Sequence, residues 1–274
     1  MSIVISASRA STLSTAGTTN NPLALWNNLG ASGTWTTDVG TQVNSAAYAG
    51  TGTTYDQWSA TPNGSNNAAI MVDLGGNQTV SMAAIAAHNV SDVGDVRVEY
   101  STDDITYTLI GANQSPADNQ AIAWYFDDTS ARYWRIYCSS LTGDVVIGTV
   151  FVGEPLTVEQ RIYQGYTPPI TSTEVSLQSN VSEGGHLLGS SAVKKASTAS
   201  ASLTHLNPAT IRGADWVAFQ KHFNEGGGFF WAWRPTKYGD VYYAWRSGEA
   251  LAPTNSGPKD YMAATLQMRL YDEP

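Results

Sequence analysis

Residues 68–76 read AAIMVDLGG, and everything around them follows from how that run is read. Ile70, Val72 and Leu74 fall on one side of an extended chain and Met71 and Asp73 on the other, before Gly75-Gly76-Asn77 turns it. Four more runs follow: TVSMAAIAAHN at 79–89, GDVRVEYSTDDITYTLIG at 94–111, ARYWRIYC at 131–138 and VVIGTVFVG at 145–153. In the second of these, Val96, Val98 and Tyr100 alternate with Arg97, Glu99 and Ser101, and Asp103-Asp104 supplies the turn. Side chains alternate between the two faces of a strand, so short period-two runs separated by turn residues predict an antiparallel β-sandwich.

The order of these runs resembles the discoidin-like, galactose-binding-like jelly roll of the coagulation-factor C type. One strand ends Asp73-Leu74-Gly75. Another ends Glu99-Tyr100-Ser101-Thr102-Asp103 and turns at once into Tyr107-Thr108-Leu109. An Ala131-Arg132-Tyr133-x-Arg135 strand follows, and an apolar strand closes the unit. The resemblance covers residues 1–155 and implies a module that binds and does not catalyse. It also implies that Arg132 and Arg135 are structural, paired with an acid such as Asp73 or Glu99.

Composition agrees. The 274 residues allow two domains, each with its own core. Hydrophobic content of 42% with only 14% charged residues, and abundant Gly, Ser, Thr and Asn, suits sandwiches with many turns. Nine Trp and fourteen Tyr argue against disorder. Residues 1–155 hold four arginines, no lysine and thirteen carboxylates, so the net charge of −9 resides there, while residues 156–274 balance. The lack of clustered Lys and Arg disfavours nucleic-acid binding and anionic-membrane binding by the first module. The one cysteine, Cys138, leaves no intrachain disulfide. Extracellular discoidin domains of animals usually carry one, and this departure points to a reducing compartment. Cys138 shares a face with Trp134 and Ile136 and is read as a small buried hydrophobe. The start, MSIVISASRAST, lacks a basic region and a long apolar stretch, so no signal peptide is expected, and no run is long enough to span a membrane.

Residues 1–67 read as short strands and long loops, with a turn of helix at Pro22–Leu29. Residues 156–172, with Pro168-Pro169, read as a linker or arm. The third part, 173–274, differs. Residues 173–178 and 197–203 alternate as strands, separated by a polar, Gly-rich loop at Ser182–Lys195. A helix at Gly213–Asn224 aligns Trp216, Phe219 and Phe223 on one face and stops at Gly226-Gly227-Gly228. Three aromatic strands, FFWAWRP, VYYAWRSG and YMAATLQMRLYD, complete a β-barrel or sandwich with one helix. This order resembles the small barrel-plus-helix domains of long-tailed bacteriophage tail-tube and distal-tail subunits. The fold class expected is therefore mainly β: a jelly roll followed by an α+β barrel or sandwich.

No catalytic motif is present. There is no Walker loop, no His-Glu-x-x-His, no Gly-x-Ser-x-Gly and no cysteine pair, and the four histidines are scattered. The resemblance places Trp26, Tyr55, Asp56, Trp58, His88 and Asn89 at ligand-facing loops, where aromatics stack on a sugar and polar groups bond its hydroxyls. Trp26 is read as core, and Tyr55 and Trp58 stay open between core and ligand. Calcium is the one cofactor the resemblance allows, at Asp56, Asp92 and Asp95, although ordinary turn aspartates are the stronger reading. In the third part, Trp231, Trp233, Tyr243 and Trp245 divide between packing on the helix and a subunit interface, and Lys194 and Lys195 sit in the loop expected to touch a neighbouring subunit. The function implied is a structural component of a phage tail tip or baseplate. Its third part would form a ring, sixfold as in tail tubes. Its first part would bind other tail proteins or host surface glycan. The chain would be made in the host cytoplasm and carried in the virion. The alternative is a free-standing carbohydrate-binding protein.

Overall fold

The computed structural model describes residues 3–162, 164–166, 175–194 and 197–271. The chain runs β1 (Ile3–Ile5), α1 (Ala7–Ala16), β2 (Leu23–Leu25), β3 (Thr34–Val39), β4 (Thr41–Asn44), β5 (Trp58–Thr61), β6 (Ala68–His88), α2 (Val90–Val93), β7 (Asp95–Ser101), β8 (Thr108–Gln114), β9 (Ile122–Ser139), β10 (Val145–Gly153) and β11 (Leu156–Thr157). It continues through β12 (Val175–Val181), β13 (Leu187–Lys194), β14 (Thr198–Leu206), α3 (Pro208–Ile211), α4 (Ala214–Asn224), β15 (Phe229–Ala232), β16 (Tyr242–Arg246), β17 (Thr254–Asn255) and β18 (Met262–Leu270).

The long strands β6 and β9 build the first unit. Their pairing is interrupted between Asp73 and Gln78, where Gly75 takes a positive φ of 77° that a residue with a Cβ adopts at a cost. Before this break β6 lies between β3 and β9, and after it between β10 and β9. Each long strand thereby serves both layers of a sandwich. One layer adds β4 and β5 beside β10, with β1 parallel to β9, and the other adds β7 and β8. Trp58, Ile70, Val72, Val96, Val98, Trp134, Ile136 and Cys138 are among those that fill the space between. The alternation read from the sequence points Ile70, Val72, Val96, Val98, Trp134, Ile136 and Cys138 inward, as expected.

A second sheet runs β11-β2-β15-β16-β18-β14, with β17 beside β18. Helix α4 lays Trp216, Phe219 and Phe223 into its core together with Phe229 and Trp231. β2 comes from within residues 1–155 yet pairs with β15, Ala24 opposite Trp231, and with Leu156 of β11. The helical turn expected at Pro22–Leu29 is therefore a strand, because alternate residues Leu23 and Leu25 face one buried layer and Ala24 the other. The arm expected from residue 156 is partly core, with Val158 and Ile162 buried beside α4. Pro168 and Pro169 lie outside the described residues.

The two units share a third core. On β6, Met82, Ala84 and Ala86 turn outward from the sandwich. They meet Leu23, Leu25, Phe230 and Tyr243, with Ala123, Tyr125 and Phe151 beside them. Phe151 stands edge-on to Phe230 at 5.3 Å and to Tyr243 at 5.8 Å. Alanine on the outward positions of β6 lets the second sheet approach closely.

Two further expectations change. Residues 7–16, Ser/Thr-rich and expected to be strand or loop, form α1. The Ser6 hydroxyl accepts the Arg9 N–H at 3.2 Å, and Gly17 closes the helix with a left-handed φ of 71°. The Gly-rich stretch 182–194 is not a loop. A turn at Ser182–His186 leads into β13, which returns along β12 as a separate two-stranded sheet. Lys194 ends β13, and Lys195 lies outside the described residues.

Candidate functional site

At one end of the sandwich the loops after β6, β8 and β9 are laced together. His88, only 6% exposed, donates from Nε2 to the Gln120 carbonyl at 2.9 Å and accepts the Val90 N–H at Nδ1. Burial pulls its imidazole down from 6.5 to about 4, so it is neutral at pH 7. Asn89 donates to the Asp144 carbonyl at 2.9 Å and accepts the Val146 N–H at 2.8 Å. Asp92 accepts from Asn119 at 2.8 Å, and Asp95 accepts from the Ser115 hydroxyl. His88 and Asn89, expected to face a ligand, thus hold loops in place. Among the described residues, no three His, Cys, Asp or Glu side chains converge to hold a metal ion, so Asp56, Asp92 and Asp95 do not come together as a set. The loop between Thr51 and Gln57 keeps two free side chains: Tyr55 is 92% exposed and Asp56 is open beside it.

Trp58 corrects the expectation for it. It is fully buried and donates to the Thr37 hydroxyl at 2.8 Å, so no sugar can stack on it. Trp26 is half-buried, tilted against Phe219 at 6.3 Å and His222 at 5.5 Å. Trp231 and Tyr243, expected in part at a subunit interface, are buried within the chain. The helix covers one face of their sheet and the sandwich covers the other. Trp233 is half-buried and stacks on Tyr238 at 5.2 Å, and Trp245 is half-buried at the junction of the two units.

All four arginines of residues 1–155 are paired. Arg132 grips Asp73 through two hydrogen bonds of 2.7 Å, and this holds the Asp73 carboxyl below its ordinary range. Arg135 bridges Glu99 and Asp38, each at 2.6 Å, and lies 3.5 Å over the Tyr107 ring. Arg97 meets Glu99 at 2.6 Å, and Arg9 meets Asp128 at 3.3 Å. This is the pairing expected of Arg132 and Arg135, and it leaves no free cationic patch for phosphate on the sandwich. The thiol of Cys138 is buried, and burial pushes it up to about 12, too high for a nucleophile at neutral pH.

A cleft opens where the units meet. It is lined by Trp26, Asn27, Gly50–Thr53 and Phe151 together with His222 and Gly226–Gly228, around a volume of about 490 Å³. A side recess of about 190 Å³ continues it past Thr54 and Gly226 to Tyr243 and Trp245. The Tyr243 hydroxyl donates to the Gly52 carbonyl across the junction, and His222 Nε2 bonds the Gly228 carbonyl at 2.8 Å. Among the described residues, no Asp, Glu, Lys or Arg lines either part. Sequence reasoning missed this site, because its walls come from opposite ends of the chain.

Residues 28–150 match the F5/8 type C domain. The match spans less than half of the 274 residues, and residues 151–274 lie outside it. No curated protein matches the chain. Among solved structures, similarity is found to chitosan-binding module 1 of a chitosanase/glucanase from Paenibacillus sp. IK-5. There the TM-score is 0.41 at 19% identity, over 47% of this chain and 99% of that module. A CBM32 module of Clostridium perfringens, solved in complex with GalNAc-β-1,3-galactose, gives 0.41 at 14% identity, over 47% and 100%. A Ruminococcus gnavus GH29 fucosidase gives 0.40 at 16% identity, over 47% of this chain and 27% of its own.

Proposed function

We propose that this protein is a non-catalytic carbohydrate-binding protein that engages a neutral glycan at the loop end of its F5/8 type C segment. The observation that carries this reading is Tyr55, an almost fully exposed aromatic on a loop whose neighbours are fixed by amide and hydroxyl hydrogen bonds. A rigid rim with one open ring suits stacking on a sugar face, and it costs little ordering on binding. The paired arginines and the −9 charge disfavour anionic polymers. A glycan array on the full chain, followed by calorimetry with Tyr55→Ala, tests it. Loss of binding on Tyr55→Ala at unchanged melting temperature supports the reading, and unchanged affinity refutes it. Calcium added to the titration decides whether Asp56 and its neighbours recruit an ion.

One observation favours a second reading, a self-assembling subunit of a phage tail tip. The β12–β13 hairpin exposes Val181, Leu187 and Leu188 at 57%, 66% and 69%. A two-stranded sheet is marginally stable alone in water, and large exposed apolar side chains in one place mark a contact surface. Sedimentation of the purified chain tests this reading, and a monomer at high concentration sinks it.

A further inference from the structure

We propose that the cleft between the two units is a second ligand site, built for an uncharged, hydroxyl-rich ring such as a pyranose. It rests on the chemistry of its own walls and does not require the Tyr55 loop to bind anything.

The walls are preorganised. β2 ties the beginning of the chain into the second sheet, Phe151 packs on Phe230 and Tyr243, and the Tyr243 hydroxyl holds the loop at Gly52. The two sides therefore keep their spacing without a ligand. The volume of about 490 Å³ lies in the range of small-molecule sites, about 300–1,000 Å³.

The lining selects the ligand. Trp26 presents a half-buried indole braced by Phe219 and His222, and Trp245 stands at the far end of the recess. Indole faces take the apolar face of a sugar ring. Asn27 is exposed beside Trp26, and its side-chain amide, a donor and an acceptor together, makes no hydrogen bond among the described residues. The Thr53 hydroxyl is shared only with Thr51, at 2.9 Å, and with hydroxyl neighbours it both donates and accepts. Sugar hydroxyls need such paired roles. With no Asp, Glu, Lys or Arg among its described lining residues, the cleft offers no charge partner to phosphates, carboxylates or amines.

The glycine wall is packed without slack. A Cβ on Gly227 would run into the His222 ring, and one on Gly228 into the Tyr243 hydroxyl. Bare backbone at these positions lets His222 and Tyr243 pack directly against the turn, which fixes the wall of the cleft. Gly226, with a left-handed φ of 83°, stops α4, and the Gly227 N–H closes the cap on the His222 carbonyl at 3.0 Å, so this turn serves the fold as well as the cleft.

The test uses the full chain with uncharged methyl pyranosides and disaccharides, read by tryptophan fluorescence and by calorimetric stoichiometry. Thr53→Trp, at an exposed position, fills the cleft. Asn27→Ala removes the free amide. Tyr55→Ala reports on the loop end. We expect Thr53→Trp to abolish one binding event, and Asn27→Ala to weaken that event about tenfold, the worth of about one hydrogen bond. Both should melt like the parent chain; if Thr53→Trp does not, Asn27→Ala decides. Two binding events, one lost with Thr53→Trp and the other with Tyr55→Ala, support both sites. A single event lost with Thr53→Trp alone supports the cleft and removes the Tyr55 site. A single event lost with Tyr55→Ala and untouched by Thr53→Trp and Asn27→Ala overturns the cleft, as does the absence of any pyranoside binding.

Discussion

Replacing Phe151 by alanine asks whether the two units are one cooperative body. Phe151 lies on β10, in the sheet of the sandwich, but its ring faces away from the sandwich core. It is 4% exposed and meets Phe230 and Tyr243 edge-on. Truncation of a buried Phe to Ala costs about 3–5 kcal/mol through lost transfer energy and the cavity left behind. Both aromatic pairs are removed at once, and the surrounding alanines, Ala84 and Ala86, are too small to collapse into the space, so the upper part of that range applies. In a chain of this size each kcal/mol moves the melting temperature by about 2–4 °C. The expected fall is then on the order of 10–15 °C by scanning calorimetry. The parent chain should melt in one transition, because β2 and the third core join the units. The variant should either melt earlier as one unit or split into two transitions. If the parent already shows two independent transitions, or if Phe151→Ala shifts melting by less than about 3 °C, the packing between the units is not the stabilising contact argued above.

Three other outcomes follow from the same structure. Glu99→Ala leaves Arg97 and Arg135 without their shared carboxylate on a mostly buried face. Chemical denaturation should report a loss of about 3 kcal/mol, the low end for a broken buried pair because Arg135 keeps Asp38. His88, with its folded value depressed to about 4, contributes stability that is full above 6.5 and is lost as pH falls from 6.5 to about 4, on the order of 3 kcal/mol in total. His88→Gln should flatten that limb of the stability–pH curve, whereas the Asp73–Arg132 pair should lose its stabilisation only at still lower pH, as Asp73 protonates. Replacing Leu187 and Leu188 by serine should leave the melting temperature within about 1 °C, since exposed changes are within about 0.5 kcal/mol, and should abolish any self-association seen by sedimentation.

The sandwich was legible because its signals are local. Alternation at residues 70–74 and 96–101 assigns faces without knowledge of partners, and Ala131-Arg132-Tyr133-x-Arg135 places two arginines where carboxylates on neighbouring strands answer them. The α4 face was legible for the same reason. Two elements were not. Half of helix α1 is Ser and Thr, which dilute its helix propensity, and its evidence lies in its caps, Ser6 and Gly17, rather than in periodicity. In the β12–β13 hairpin, residues 187–191 of β13 are all exposed, so no alternation of buried and exposed residues marks that stretch.

The junction of the two units carried a signal that period-two reading passes over. A strand with one wet face alternates apolar and polar residues, but residues 80–88, VSMAAIAAH, contain one serine and one histidine among small and apolar residues. All nine are buried. An antiparallel strand of this kind is covered on both faces, and the two faces differ in size: Val80 and Ile85 fill the sandwich, while Ala84 and Ala86 on the other side leave room for a second sheet. Read that way, the run predicts a close neighbour against the outer face of the first module. The rest of the chain supplies it through Phe230 and Tyr243, whose sheet would otherwise leave one aromatic face in water. This accounts for the aromatic surplus of the third part without a subunit interface. It also leaves a cleft beside the shared core, where Gly52 and Gly226–Gly228 line it and the Tyr243 hydroxyl donates to the Gly52 carbonyl.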